Sequence, residues 1–174
     1  MSDLPGPQVA IVDYGLGNLF SVKQACDHAG LRAVITSSRQ EILAAEAVIL
    51  PGVGAFGDAM DTLETLDLVS VLRDIAASPK PLLGICLGMQ LLMTESYEFG
   101  RHRGLGIVEG EVVRLEMAAE GLRMLKVPQV GWNRIHAVGL GDQRDGPGPN
   151  GTLWKSPLLE GLNDGEYQYF VHSF

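Results

Sequence analysis

Gly84-Ile85-Cys86-Leu87-Gly88 is the segment whose residue types and spacing most directly permit covalent chemistry. The apolar run Pro81-Leu82-Leu83-Gly84-Ile85 leads straight into the cysteine, with a glycine two residues to either side of it. A tight strand-to-helix turn holds the residue at its tip clear of a sheet, and flanking glycines admit the close backbone packing that such a turn needs. There the helix N-terminus would favour thiolate over thiol, and the N–H of Leu87 would point where an oxyanion forms. The chemistry expected is nucleophilic attack on a carbonyl carbon, with a buried cysteine in a turn as the alternative.

Other candidate residues are less productive. Gly52-Val53-Gly54-Ala55-Phe56-Gly57 formally matches a dinucleotide-binding fingerprint, but the next strand ends in the cysteine turn, where a ribose-binding carboxylate would be needed. The same loop can instead supply oxyanion donors from backbone N–H groups near Val53 and Gly54, with glycine permitting a peptide flip. His28, His102, His136 and His172 lack a second ligand at metal-site spacing, so neither a metal nor another cofactor is expected. Cys26 lies in a helical pattern that ends at Gly30 and reads as a small buried thiol.

The elements that must carry these residues alternate. Strands are predicted at Val9 to Asp13, Ala33 to Thr36, Ala47 to Leu50 (ended by Pro51-Gly52) and Pro81 to Ile85. Helices are predicted from Leu19 to Ala29, with Asn18 as N-cap, after Ser38, where Ser38 and Glu41 have capping-box spacing, and from about Asp58 to Ala77 with a break near Asp67. This order implies an α/β fold, a mostly parallel sheet with helices on both faces, because parallel neighbours need crossover connections. Its three glycine-rich turns all follow strands and so share one edge, where ligands bind in such sheets. Beyond about Gly100 shorter alternating runs, Gly106 to Leu115, Lys126-Val127, Gly131 to Ile135 and Glu166 to His172, predict antiparallel strands, and Gly139 to Gly151 predicts a loop.

The 174 residues suit one domain. Thirteen Lys and Arg against twenty-one Asp and Glu give a formal charge of -8 with no basic run, which argues against nucleic acid as a partner. No apolar stretch approaches membrane-spanning length, so a soluble, cytoplasmic protein is expected, with no membrane association.

Five segments together carry a resemblance: Ile11-Val12-Asp13-Tyr14-Gly15-Leu16-Gly17-Asn18-Leu19, Pro51 to Phe56, Gly84 to Gln90, Val127-Pro128-Gln129-Val130-Gly131-Trp132-Asn133 and Tyr169-Phe170-Val171-His172-Ser173-Phe174. In order along the chain they resemble motifs of the class I glutamine amidotransferases, of flavodoxin-like fold, and within them the glutaminase subunits of imidazole glycerol phosphate synthases in histidine biosynthesis. The resemblance implies that Cys86 attacks the side-chain amide of glutamine, that a thioester forms, and that ammonia passes to a cyclase subunit of (β/α)8-barrel fold. It implies an oxyanion region at Val53, Gly54 and Leu87, glutamine-holding roles for Gly52, Gln90, Ser173 and Phe174, and a partner-facing segment containing Pro128, Gln129, Trp132 and Asn133. Gln129 stands where the resemblance would place histidine.

The family's catalytic His and Glu belong to a His-Pro-Glu motif downstream of the His-Ser-aromatic segment, and the sequence stops at Phe174 before it. The expectation is therefore a single domain, residues 1–174, lacking its C-terminal segment, with His172 not the base. Two other readings stay open: another class I glutaminase or cysteine hydrolase of similar fold, and a catalytically incomplete binding subunit.

Overall fold

The computed structural model describes residues 6–115, 127–137 and 157–174. They fall into two compact units, residues 1–114 with Phe174, and residues 115–173. The predicted loop from Gly139 to Gly151, and Lys126, lie outside the described residues.

The first unit is built on a four-stranded parallel sheet of β1 (Gln8–Val12), β2 (Arg32–Thr36), β3 (Ala47–Gly52) and β4 (Leu82–Cys86), in the order β2-β1-β3-β4. Both faces of β1 and β3 are covered, which is why these strands read as unbroken apolar runs rather than as alternations. Val9, Ile11 and Ile49 face one cluster with Cys26 of α1 (Leu19–His28). Ala10, Val12, Val48 and Leu50 face the other, which takes in α2 (Arg39–Ala44), α3 (Phe56–Thr65), α4 (Leu68–Ala76) and α5 (Leu87–Leu91). The two-residue side-chain period of a strand thus sorts one apolar run between two helical layers.

Local signals place most helix ends. The Asn18 side chain accepts the Ser21 N–H at 3.2 Å, and Gly30 leaves α1 at φ 77°. Asp67, at φ 54°, makes the break between α3 and α4. The predicted capping box at α2 is only half formed. Ser38 accepts the Glu41 N–H, but the Glu41 carboxylate takes the Thr36 hydroxyl instead of the Ser38 N–H, which bonds to Thr36 Oγ1 at 2.9 Å. A threonine ending β2 outcompetes the local partner.

Most strand ends differ by a residue or two from expectation, and two differences have a structural reason. β3 runs on through Pro51 and Gly52, because β1 stops pairing with it at Ile49 while β4 pairs to its end. Pro51 therefore sits where no β1 neighbour requires its missing N–H. Between Gly106 and Leu115 the only strand is β7 (Glu111–Val112), which pairs with β5 (Glu95–Ser96), itself paired with β6 (His102–Arg103). The β5–β7 pairing is parallel, whereas the sequence pattern predicts antiparallel strands. Gly106 and Gly110, at φ 63° and 149°, break the run on either side of Val108.

In the second unit β8 (Gln129–Arg134) and β9 (Tyr167–His172) form an antiparallel pair. Among the described residues no helix is long and apolar enough to cross a membrane.

Candidate active site

Cys86 is the last residue of β4 and the residue before α5. Its backbone is in a conformation that L-residues adopt at a cost, φ 54° and ψ -119°, and its side chain is exposed. Positive φ at a non-glycine residue carrying a thiol, on the exit from a buried strand, is the strained turn expected of a nucleophile. Sterics of the two flanking glycines make the turn possible. A Cβ on Gly88 would run into the Leu50 carbonyl oxygen of β3, and one on Gly84 would lie 2.5 Å from Met89 Cα. Helix and strand approach more closely than any side chain would allow.

The ladder between β3 and β4 closes on the pair Gly52 and Cys86. The loop Val53-Gly54-Ala55 therefore departs at the level of the thiol, one strand away. Val53 is 53% exposed, and Gly54 stands at φ 105° with open space where a Cβ would be. Leu87 is buried and opens α5, so its N–H has no partner within the helix. Because α5 has only five residues, these individual N–H groups, rather than a long helix dipole, are the donors on offer.

Gly52 has no room for a side chain. A Cβ there would meet the Tyr14 hydroxyl, and Gly88 N and Leu87 Cβ at 3.0 Å each. Tyr14 follows β1, is 1% exposed, and donates its hydroxyl to the Pro51 carbonyl at 2.8 Å. Burial, and then the electrostatic influence of the neighbouring Cys86, push its phenol well above the usual range, so it remains a donor. The turns after β1, β3 and β4 thus converge on one sheet edge, as their order in the sequence predicts.

Gln90 lies one helical turn beyond Cys86, and its side-chain N–H donates to the Phe174 carbonyl at 3.1 Å, while the Phe174 ring packs against the core. Ser173 belongs to the second unit, where its carbonyl accepts the Leu115 N–H. Pro128, Gln129, Trp132 and Asn133 also lie in that unit. Pro128 follows a cis peptide bond, Gln129 pairs with His172, Asn133 pairs with Gln168, and the Trp132 ring meets Tyr169 edge-on at 5.5 Å.

Sequence reasoning missed the contact of Glu98, whose carboxylate accepts the Phe56 N–H at 2.8 Å and so caps α3 just after the glycine loop. The one available signal was negative: Ala55, at the N-cap, has no side chain that could cap. Among the described residues no group of three His, Cys, Asp or Glu is arranged to hold a metal.

Comparison with known proteins gives the family. Residues 10–174 match the family model for glutamine amidotransferase class-I. The chain is 46% identical over 166 residues to imidazole glycerol phosphate synthase subunit HisH of Wolinella succinogenes, covering 95% of this chain and 73% of the relative. It is 44% identical over 171 residues to the subunit of the same name in Aquifex aeolicus, covering 96% and 71%. A solved glutamine amidotransferase aligns with a TM-score of 0.54 at 20% identity, over 72% of this chain and 64% of that one, a likeness of fold alone. With the family model spanning all but the first nine residues, and an exposed cysteine turn where such a fold binds its ligand, the chain belongs to the class I glutamine amidotransferases.

Proposed function

We propose that this chain is the glutaminase subunit of an imidazole glycerol phosphate synthase, with Cys86 as its nucleophile. The observation that carries the proposal is the exposed thiol held at positive φ between two glycines on which any Cβ would meet neighbouring backbone. Cys86 Sγ attacks the side-chain carboxamide carbon of glutamine, the C–N bond breaks, and ammonia leaves. Water then attacks the thioester, and glutamate and the thiol are released. The N–H groups of Val53, Gly54 and Leu87 are assigned to the oxyanion, and Gly52, Gln90, Ser173 and Phe174 to the glutamine. The base is assigned to none of the described residues.

Ammonia, in this reading, passes to a cyclase subunit of (β/α)8-barrel fold, which forms imidazole glycerol phosphate and an aminoimidazole carboxamide ribotide. Pro128, Gln129, Trp132 and Asn133 are assigned to the surface facing it. The relatives' names, as subunits of that synthase, support a partner of this kind.

Cys86→Ala tests the assignment in the assembled synthase. The variant is expected to lose glutamine-dependent product while the partner still uses added ammonium. Retained glutamine hydrolysis would remove Cys86 from the chemistry, and loss of the ammonium-dependent reaction would point to a structural defect instead.

A further inference from the structure

Tyr14 belongs to a motif that the proposed chemistry does not use, yet its hydroxyl lies at the point where the three glycine-rich turns meet. We propose that Tyr14 is a positioning residue for the oxyanion loop, its hydroxyl fixing the Pro51-Gly52 end from which Val53 and Gly54 extend. The inference rests on the reading of Val53 and Gly54 as oxyanion donors and deepens it.

Three observations converge. β1 pairs with β3 only as far as Ile49, so the Pro51 carbonyl has no strand partner on that side, and the Tyr14 hydroxyl supplies the hydrogen bond that the ladder would have made. The same hydroxyl fills the space over Gly52, whose Cα pairs with that of Cys86. Gly52 is thus enclosed by Tyr14, Leu87 and Gly88, while Gly54 has nothing within 4 Å of its Cβ position. A peptide flip in this loop is confined to Val53 and Gly54, because the residue before them is clamped. Tyr14 touches neither thiol nor substrate in this scheme; it acts through the backbone, and being 1% exposed it does so without competition from water.

Tyr14→Phe keeps the ring and removes only the donor, and it is measured in the synthase assembled with its cyclase subunit. Losing a direct oxyanion donor costs roughly 10²- to 10³-fold in kcat, and loosening its support is expected to cost less, about tenfold. KM for glutamine should stay within about twofold, because the clamp aims the donors at developing charge and not at ground-state glutamine. The rate at which iodoacetamide alkylates Cys86 should also stay within about twofold, since displacement at an alkyl carbon builds no oxyanion. Placing p-aminophenylalanine at position 14 restores a donor and should recover most of kcat, which a purely structural role for the ring would not produce.

An unchanged kcat in Tyr14→Phe overturns the inference. So does an equal fall in hydrolysis and alkylation, which would locate the damage at the sulfur, or a variant carrying p-aminophenylalanine that folds and stays slow. Glutamine hydrolysis persisting in Cys86→Ala would instead sink the underlying reading, whatever Tyr14 does.

Discussion

Gly84 and Gly88 flank the same thiol, but each is glycine because of a different neighbour. Gly88 meets the backbone of β3, a rigid obstacle in the middle of the sheet, and Gly84 meets the backbone of α5. Gly88→Ala should therefore destabilise the protein by about 1–3 kcal/mol, the range for a forced backbone shift in a packed core, read as a lower urea midpoint at unchanged m. Glu95 makes a second residue-scale case. It is 8% exposed and accepts hydrogen bonds from the Tyr97 hydroxyl at 2.7 Å and from Arg101 Nε at 2.8 Å. The Tyr97 hydrogen bond first, and then Arg101, hold its carboxyl below the ordinary 4.5. A depressed carboxylate stabilises the fold above its unfolded pKa and loses that contribution as pH falls through its folded value. The difference in thermal midpoint between the parent chain and Glu95→Gln should thus be constant at neutral pH and shrink as pH drops below about 4.5. A difference that grew on acidification would contradict the pairing.

At the scale of elements, α1 and α3 begin by different means. Asn18 caps α1 from the adjacent position, and Asn18→Ala should cost about 1 kcal/mol by denaturant titration, the usual worth of such a cap. The cap of α3 comes from Glu98, 42 residues further on, so no local pattern announces it. The joint between α3 and α4 depends on Asp67 at φ 54°. Aspartate tolerates that region and a β-branched residue does not, so Asp67→Val should destabilise by about 1–2 kcal/mol, and Asp67→Gly should not destabilise comparably. Equal effects of the two substitutions would mean that the backbone conformation of the joint is not what matters there.

Over the whole molecule, buried apolar residues, among those described, are distributed unevenly between the two units. The first holds all four strands of the parallel sheet and both buried clusters. The described strands of the second are a single antiparallel pair that leaves Val130, Trp132, Tyr167, Tyr169 and Val171 each more than half exposed. Exposed side chains add little burial to hold such a pair of strands together. Amide hydrogen exchange should therefore be slowest in β1 and β3 and orders of magnitude faster in β8 and β9. Binding of a cyclase subunit across Trp132, the proposed partner face, should slow exchange in β8 and leave β1 unchanged. An unprotected β8 in the complex would move the interface elsewhere.

Much of this was legible in the residues because the determining interactions are local or periodic. The alternation of apolar runs with helical patterns implies a parallel sheet, and the glycines around Cys86 imply a strained turn, since both follow from what a backbone can do within a few residues. The strand ends were not legible: whether β3 stops at Leu50 or continues through Pro51 depends on where β1 leaves off and β4 does not. The half-formed capping box at α2 escaped for the same reason, because Thr36 competes for Glu41 only once β2 lies beside the helix. Tertiary structure alone places the Tyr14 hydroxyl on Pro51 and over Gly52, and the Glu98 carboxylate on α3. Those contacts join residues 37 to 42 positions apart, and short-range sequence patterns carry no information at that distance.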